Sequence, residues 1–561
     1  MLSTYQYPKF EYQRPPELDG VGGKARVVVV GAGPVGISMA IDLAQQGISV
    51  LLLDDDETVS VGSRGLCYAK RTLEILDRYG AGQPVVDKGV SWNVGRTFYR
   101  EEEVYHFNLL PVSGHERPGM INLQQYYLEE YLLKRANELP EIEIRWKNKV
   151  THVDVDTTVN KVSLSVETPE GVYELECDWV VAADGARSGI RRQLGLDIEG
   201  KIFQDRFLIA DVVMKADFPA ERWFWFDPPF HRNQSVLLHR EADNVWRIDF
   251  QLGWDADPEE EKKPENVIPR IKAMLGDERE FELEWVSVYT FQCRRMKNFR
   301  HKRVLFVGDA AHQVSPFGAR GANSGIQDVD NLGWKLRLVL EGKSPESLLD
   351  TYHEERAYAA DENIMNSTRS TDFITPKSNV SKQFRDSVLR LAKTCAFARS
   401  LVNSGRLSVP SYLYQSSLNG PSVGAFEGGM IPGAPMEDAP VLVGDEKSWL
   451  LRHINHSEFA ILFFANKNTD LSILDRLSEI EVKGIRLLPV CVISGQDNVD
   501  VPSRYKTMID SEGLIAQRYD AQPGTLYLLR PDQHVVARWR EVDADEVKQA
   551  LSIATANHYS I

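Results

Sequence analysis

Residues 26–54, RVVVVGAGPVGISMAIDLAQQGISVLLLD, constrain the fold more than any other stretch of the chain. Val27, Val28, Val29 and Val30 follow one another without alternation, which predicts a strand buried on both faces. The turn Gly31-Ala32-Gly33-Pro34-Val35-Gly36 comes next, then apolar residues at helical spacing, Ile37, Ala40, Ile41 and Ala44. Gly47 ends that helix, and a second apolar strand over 50–53 closes on Asp54. This order of strand, turn, helix and strand is the unit that binds a dinucleotide. Gly31 permits the tight turn, Gly33 lets backbone approach a pyrophosphate, and Gly36 lets helix and strand pack closely. The helix N-terminus offers phosphates its unpaired N–H groups and partial positive charge. Pro34 suits the first turn, where a missing N–H costs nothing. Asp54 lies 23 positions after Gly31, where a carboxylate can accept from both ribose hydroxyls.

Composition narrows the partners. A net charge of −16 argues against nucleic acid or an anionic membrane. The polar, proline-containing arm over 1–25 has no secretory pattern, and no segment reaches the ~20 apolar residues needed to span a bilayer. The five cysteines, 67, 177, 293, 395 and 491, form no C-x-x-C pair. That fits a reducing cytoplasm and speaks against a zinc cluster or a dithiol centre, so no metal is expected. The run Glu259-Glu260-Glu261 with Lys262-Lys263 reads as a solvated loop.

Along the chain, Ser63-Arg64-Gly65 forms a loop from which Arg64 could clamp a pyrophosphate with two parallel hydrogen bonds. Cys67 reads as a small packed residue, and 69–79 has helical spacing. Gln124 stands at the start of a helix over 126–138. Strands follow over 141–146, 150–155, 162–166 and 180–183, the last ending at Asp184-Gly185. Ligands of open α/β sheets gather at such carboxyl ends.

From about residue 203 the pattern changes to alternating segments without helices. The segments 207–214, 223–226, 235–239 and 245–252 predict a largely antiparallel sheet. Over 245–251, Trp246, Ile248 and Phe250 occupy one face and Arg247, Asp249 and Gln251 the other. The polar face is either solvated or roofs a substrate pocket whose polar candidates are His239, Arg240, Arg247 and Asp249. Trp223 and Trp225 are expected in the sheet core.

A buried strand over 304–307 then ends at Gly308-Asp309. The glycine turn Gly318-Ala319-Arg320-Gly321-Ala322-Asn323 precedes an amphipathic helix over 324–340. Two glycine-bearing helix N-termini, far apart in sequence, suit one long ligand. His312 reads as a packed, hydrogen-bonded histidine or as a base.

Over about 26–365 the chain resembles the single-component flavin-dependent aromatic hydroxylases, the para-hydroxybenzoate-hydroxylase-like monooxygenases. The resemblance rests on GAGPVG with Asp54, DGARSGIRR, GDAAHQVSPFGARGANSGIQD and LLDTYHEER. It implies an α/β FAD-binding domain, Rossmann-like and of the glutathione-reductase type, formed by 26–202 and 290–405. A mostly antiparallel substrate domain over 203–289 would be inserted in it. By the same resemblance Gly31, Gly33, Pro34, Val35, Gly36 and Asp54, with Asp55 beside it, would hold the ADP half of FAD. Arg64, Gln124 and Val150 become FAD contacts, and Asp184 serves FAD and NAD(P)H. Gly308 and Asp309 would hold the ribityl chain. Pro316 would lie beside ring and substrate, and backbone from Gly318 through Gly321 and Ala322 to Asn323 would face the isoalloxazine.

The chain is helical and polar over 356–403, and a Gly/Pro-rich linker is expected over 406–436. Strands over 459–464 and 485–493 follow, then a hairpin around Arg530-Pro531-Asp532 and a helix over 544–553. This part, 437–561, looks like the thioredoxin-like domain of the phenol-hydroxylase branch. Without a cysteine pair it is expected to serve packing or subunit contact.

The resemblance implies an FAD-dependent monooxygenase that hydroxylates a small phenolic substrate, using NAD(P)H and O₂ through a flavin C4a-hydroperoxide. Asp55 and Asp56 would repel a 2′-phosphate, which favours NADH. A homodimer is the commonest expectation for an oligomer. A flavin dehydrogenase, oxidase or halogenase, or a non-catalytic binding protein related to the guanine-nucleotide dissociation inhibitors, are the alternatives. The tryptophan-rich halogenase signature is not seen.

Overall fold

The valine run forms the strand Gly23–Val30, and its last four residues are buried at the centre of an eight-stranded sheet. The computed structural model describes residues 4–402, 407–454, 457–495 and 499–559. The expected boundary at 405–406 and the first three residues of the arm lie outside them. In this sheet Val304–Phe306, Gly171–Ala182, Gly23–Val30, Val50–Leu53 and Ile142–Arg145 lie side by side and all run parallel. Parallel neighbours end on the same edge, so Gly31, Asp54, Asp184 and Gly308 are brought to one rim. Lys149–Asp156 and Lys161–Thr168 extend the long Gly171–Ala182 strand as an antiparallel meander.

The helix Pro34–Gln45 packs on Gly321–Leu340 and on Gln125–Ala136. Gly321–Leu340 begins three residues earlier than its apolar spacing suggests, so Gly321, Ala322 and Asn323 are its first turn. Gly333 makes its contact with Pro34–Gln45 possible, because a Cβ there would lie 1.6 Å from Asp42 Oδ2. Asp42 is 3% exposed. Burial pushes its carboxyl up to about 8, and the charge of Asp330 adds to the shift.

The second sheet also has eight strands, in the order His312–Gln313, Glu282–Met296, Ile198–Val213, Val245–Leu252, Ser235–Arg240, Arg222–Phe226, Val94–Tyr99 and Glu102–Asn108. The last two come from a stretch read as part of the flavin domain. Their pairing is non-local, and Arg222–Phe226 joins Val94–Tyr99 in parallel. Ile198–Val213 and Glu282–Met296 also run past the expected limits of 203 and 289.

Nor is this region free of helices. The acidic run is the short helix Pro258–Glu261, with the Asp257 side chain accepting from Glu259 N–H, rather than a loop. Pro264–Leu275 follows it and lays Val267 and Ile271 against Trp246, Ile248 and Phe250. Trp223 and Trp225 are half-buried against the same layer. The opposite face is not solvated either, since Arg247 is 4% and Asp249 9% exposed.

A third large sheet has nine strands, and a small one joins Cys67–Ala69, Met120–Asn122 and Val90–Trp92. Phe459–Ala465, Ile485–Ser494 and Lys506–Asp510 run parallel, and the hairpin Leu526–Leu529 with Val535–Trp539 joins them antiparallel. The stretch expected to be a linker is built into this unit: Met430, Ala434 and Met436 share a core with Val441 and Leu529. Among the described residues no helix is long and apolar enough to cross a membrane.

Asp42 supplies a test of the helix packing. Its folded pKa lies above the unfolded value, so the folded state holds a proton that the unfolded chain has lost between about pH 4 and 8. Stability contributed by this group is therefore complete below pH 4 and is lost as pH rises to about 8. Asp42→Asn should melt higher than the parent at pH 8.5, with a difference that shrinks at pH 5. Equal differences at both pH values in calorimetry would refute the assignment.

Candidate active site

The first glycine turn is shaped by close approach. Gly31 has φ +106°, and a Cβ there would lie 2.5 Å from the Ala183 carbonyl oxygen. A Cβ on Gly36 would lie 1.8 Å from the Gly31 oxygen. Gly33, by contrast, has nothing within 4 Å of its Cβ position, leaving its outer side open. Pro34 starts the helix, and no side chain caps that N-terminus. Asp54, at the end of Val50–Leu53, accepts from Ala32 N–H at 2.5 Å and Asp56 N–H at 2.8 Å. Burial raises its carboxyl, against those two bonds. Asp55 is exposed beside it.

The other motifs meet this turn. Val35 contacts Gly308, which has φ +59°, and a Cβ on Gly325 would come within 2.6 Å of Val35 Cγ2. The two glycine turns therefore border one cleft. Asp184 accepts from Ile190 N–H at 3.1 Å, and burial raises its carboxyl. Asp309 is exposed to the cleft at the end of its strand, but surrounding protein still raises its carboxyl by desolvation.

Arg64 is exposed, whereas Gln124 is 1% exposed. Gln124 donates to the Ala242 carbonyl at 3.2 Å, and its Oε1 is buried without a hydrogen-bond partner. It lines a cavity of about 140 Å³ with Ser63, Tyr126, Asp211 and Glu284. The Val150 side chain belongs to the core rather than the cleft.

The second turn is braced from behind. Pro316 is exposed and opens the short helix Pro316–Gly318, and Ala319 follows at φ +50°. Asn323 accepts from Ala69 N–H and donates to the Cys67 carbonyl, both at 2.8 Å. Its side chain thereby ties the strand Cys67–Ala69 to the turn, leaving backbone N–H groups of the uncapped helix end toward the cleft. Beneath it Asp328, fully buried, accepts from Gly308 N–H at 2.9 Å and Arg356 Nε at 2.7 Å, and pairs with His312 Nε2 at 2.6 Å. Burial raises that carboxyl, but His312 and Arg356 outweigh it and hold it low. His312 is thus a packed histidine.

Across the cleft the second sheet presents a buried polar face. Arg247 Nε lies 3.2 Å from Asp211 and 3.8 Å from both Glu241 and Asp249. Arg247 also donates to the Ser63 carbonyl. Burial opposes its charge, but the three carboxyls outweigh burial and keep the guanidinium protonated. The same burial raises Asp211, Glu241 and Asp249. His239 lies well below its ordinary value, through burial and the charges of Arg222 and Arg247, and is therefore neutral.

Two groups here are unsatisfied and a third is weakly held. His239 Nδ1 and Asp249 Oδ1 are buried without hydrogen-bond partners. Arg222, 7% exposed, makes one long bond, 3.4 Å to the Phe317 carbonyl, and burial lowers its pKa. Among the described residues no carboxylate lies within ion-pair distance of it. Phe207 and Phe291 pack on Phe317 at 4.9 and 5.2 Å, giving this face an apolar end beside Pro316.

Arg240 does not join the group: it lies over the Trp246 ring on the other face, 5.7 Å from its centroid. Strand alternation places neighbours on opposite faces, so His239 and Arg240 could not both line the pocket. The same rule points to Arg222, two and four residues before Phe224 and Phe226, which sequence reading passed over for the tryptophans between them. Asp211 and Glu241 carry no comparable local signal, since their role comes from Arg247 on another strand.

A crowded glycine turn, an uncapped helix end and acids at three strand ends along one rim, with the Gln124 amide oxygen left unpartnered, fit an extended dinucleotide such as FAD. Residues 24–367 match the FAD binding domain family, and the chain belongs to it. Along 95% of its length it is 25% identical to 93% of a 3-(3-hydroxy-phenyl)propionate/3-hydroxycinnamic acid hydroxylase of Mycolicibacterium smegmatis. Over 60% of the chain it is 29% identical to 83% of para-nitrophenol 4-monooxygenase from Pseudomonas sp. strain WBC-3. In fold it is similar to the flavin-dependent monooxygenase PieE, solved with FAD and substrate. That match has TM-score 0.80 and 21% identity, over 95% of this chain and 99% of the other.

Asp309→Ala should weaken FAD binding by about tenfold or more, the worth of a hydrogen bond to a charged group. Flavin content and titration of the purified variant check this; full retention of FAD would remove Asp309 from the site.

Proposed function

We propose that this chain is an FAD-dependent monooxygenase that hydroxylates a phenolic aromatic compound at the expense of NAD(P)H and O₂. The observation that carries the reading is the meeting of the glycine cleft with the unsatisfied Arg222–His239–Asp249 face at the Pro316–Gly318 turn. Bound FAD would supply nicotinamide oxidation and oxygen activation, the chemistry no side chain here can perform. Gly31, Gly33, Gly36, Asp54 and Arg64 would hold its ADP half, and Asp309 with the Gly321–Asn323 backbone the remainder.

The chain's own residues prepare the substrate. Phe207, Phe291 and Phe317 grip an aromatic ring and exclude water. Neutral His239 and the Asp249 oxygen that accepts no hydrogen bond would take the phenolic proton, which enriches the ring in electrons where oxygen is to be added. Arg222, a buried cation with no carboxylate of its own, suits an anionic or nitro substituent. The relatives' names include a phenylpropionate and a nitrophenol. Exposed Asp55 and Asp56 favour NADH over NADPH. The C-terminal unit fits a thioredoxin-like domain, with its parallel strand trio and antiparallel hairpin. All five cysteines are unpaired, which suits cytoplasm and denies this unit disulfide chemistry.

The reading is tested with a panel of phenols scored for stimulated NADH oxidation and for ¹⁸O from O₂ in the product. Labelled hydroxylation is expected. Oxidised product without label would make the chain a dehydrogenase or oxidase, and halide-dependent product a halogenase. A colourless protein without NADH turnover would make it a binding protein. Arg222→Met should raise KM for a carboxylated phenol at least about 30-fold, the lower end for losing one partner of a buried charge pair. A neutral phenol should be far less affected, and equal losses for both would refute the assignment.

A further inference from the structure

The C-terminal unit meets the helices behind the second glycine turn through the loop of its hairpin. Arg530, Asp532 and Gln533, at the tip of its hairpin, are at most 1% exposed. Arg530 donates to both oxygens of Glu355, at 2.5 and 3.0 Å, and to both oxygens of Asp532, at 2.9 and 2.5 Å. Lys335 donates to Glu355 at 2.7 Å and to Asn331 at 2.9 Å. Asn331 donates to Glu355 at 2.6 Å. Two cations and two anions are thereby balanced inside the seam.

The same loop holds a second helix, Lys70–Tyr79. Arg71 donates to the Asp532 carbonyl at 2.8 Å and to Gln533 Oε1 at 3.0 Å. It also donates to Asp330 at 3.2 Å, and Arg78 donates to Asp330 at 2.5 Å and to the Pro531 carbonyl at 3.2 Å. Of these two helices, Gly321–Leu340 starts at the cleft. Lys70–Tyr79 follows directly on Cys67–Ala69, and Asn323 bonds that strand to the start of Gly321–Leu340. The pair is therefore pinned at two levels, at Asn323 beside the cleft and at Asp330–Asn331 by the hairpin. Seven residues of helix separate the levels, about 11 Å.

Cohesion of the seam does not need the charges. Trp334 and Leu338 of Gly321–Leu340 belong to the apolar core of the C-terminal unit, and Trp334 meets Phe459 edge-on at 5.5 Å. Buried ion networks often add little stability over an apolar replacement, because desolvation consumes their attraction. What directional bonds supply and apolar contact does not is a single register.

We propose that the Arg530–Gln533 loop sets the register of these two helices, making Arg530, Glu355 and Gln533 positioning residues for the flavin-facing turn. This rests on the reading that FAD occupies the cleft. Shifted helices would displace the Gly321–Asn323 backbone and the Cys67–Ala69 strand together. FAD would bind more weakly in a changed environment, and more NAD(P)H would be consumed with O₂ and a proton to give H₂O₂ rather than hydroxylated product and water.

The test uses full-length protein. Arg530→Met/Glu355→Met removes one charge of each sign, and Gln533→Gly removes the Arg71 bond, together with the side-chain bonds to the Leu451 and Ile454 carbonyls, while keeping the left-handed backbone (φ +54°) that glycine favours. Melting temperature of the apoprotein, FAD titration, the visible flavin spectrum and the ratio of product to nicotinamide oxidised are read together. Expected are a melting point near the parent's, about fivefold or more weaker FAD binding, a shifted flavin band and a lower product ratio. Arg530→Lys should restore part of the affinity. If the double variant does not fold, Gln533→Gly decides, with the same direction and a smaller effect. Folded variants with parental FAD affinity and spectrum would overturn the proposal. So would lower FAD affinity that only tracks a lower melting point. These readouts need no phenol, so a parent that binds FAD but hydroxylates nothing would defeat the functional reading and leave this one standing.

Discussion

Parallel pairing of four strands is the constraint on which the rest depends. Gly23–Val30 lies between Val50–Leu53 and Gly171–Ala182, and the latter lies beside Val304–Phe306. Because all run the same way, four turns from four distant parts of the chain reach one rim. Glycine permits the contacts that follow, with Gly36 on Gly31 and both Gly308 and Gly325 on Val35. Any larger residue would force the turns apart. Asp328 then locks the arrangement from below by joining Gly308, His312 and Arg356 in one buried site. A fully buried carboxylate with three partners has little freedom to move.

The face opposite that rim is costly to build. Arg247 and three carboxyls are buried together, and only the excess of acid over base allows the arginine to stay charged while the carboxyls shift upward. His239 Nδ1 and Asp249 Oδ1 have no hydrogen-bond partner, and Arg222 has one long bond to the Phe317 carbonyl. Groups buried without partners are expensive. A ligand that completed them would offset that cost, which is the role proposed for this face.

The C-terminal unit is bound into the same logic. Its supposed linker is core, its hairpin tip is buried among the flavin-domain helices, and its apolar interior includes Trp334 of the helix that starts at the cleft. The seam thus combines adhesive apolar surface with directional charge, and the two do different things.

The sequence by itself determined the local units: the valine strand, the glycine turns, the strand-ending acids and the amphipathic helices, because each is written in neighbouring residues. It also determined that Arg247 and Asp249 share a face, through alternation. Only the tertiary structure decided that this face is buried, that Val94–Tyr99 pairs with Arg222–Phe226, that Arg240 looks away, and that the Gly/Pro-rich stretch is packed. It alone brought Arg222 to Phe317 and Arg530 to Glu355. Those outcomes depend on contacts between residues tens to hundreds of positions apart. No local periodicity encodes which distant surface will cover a strand, or which distant charge will neutralise an arginine.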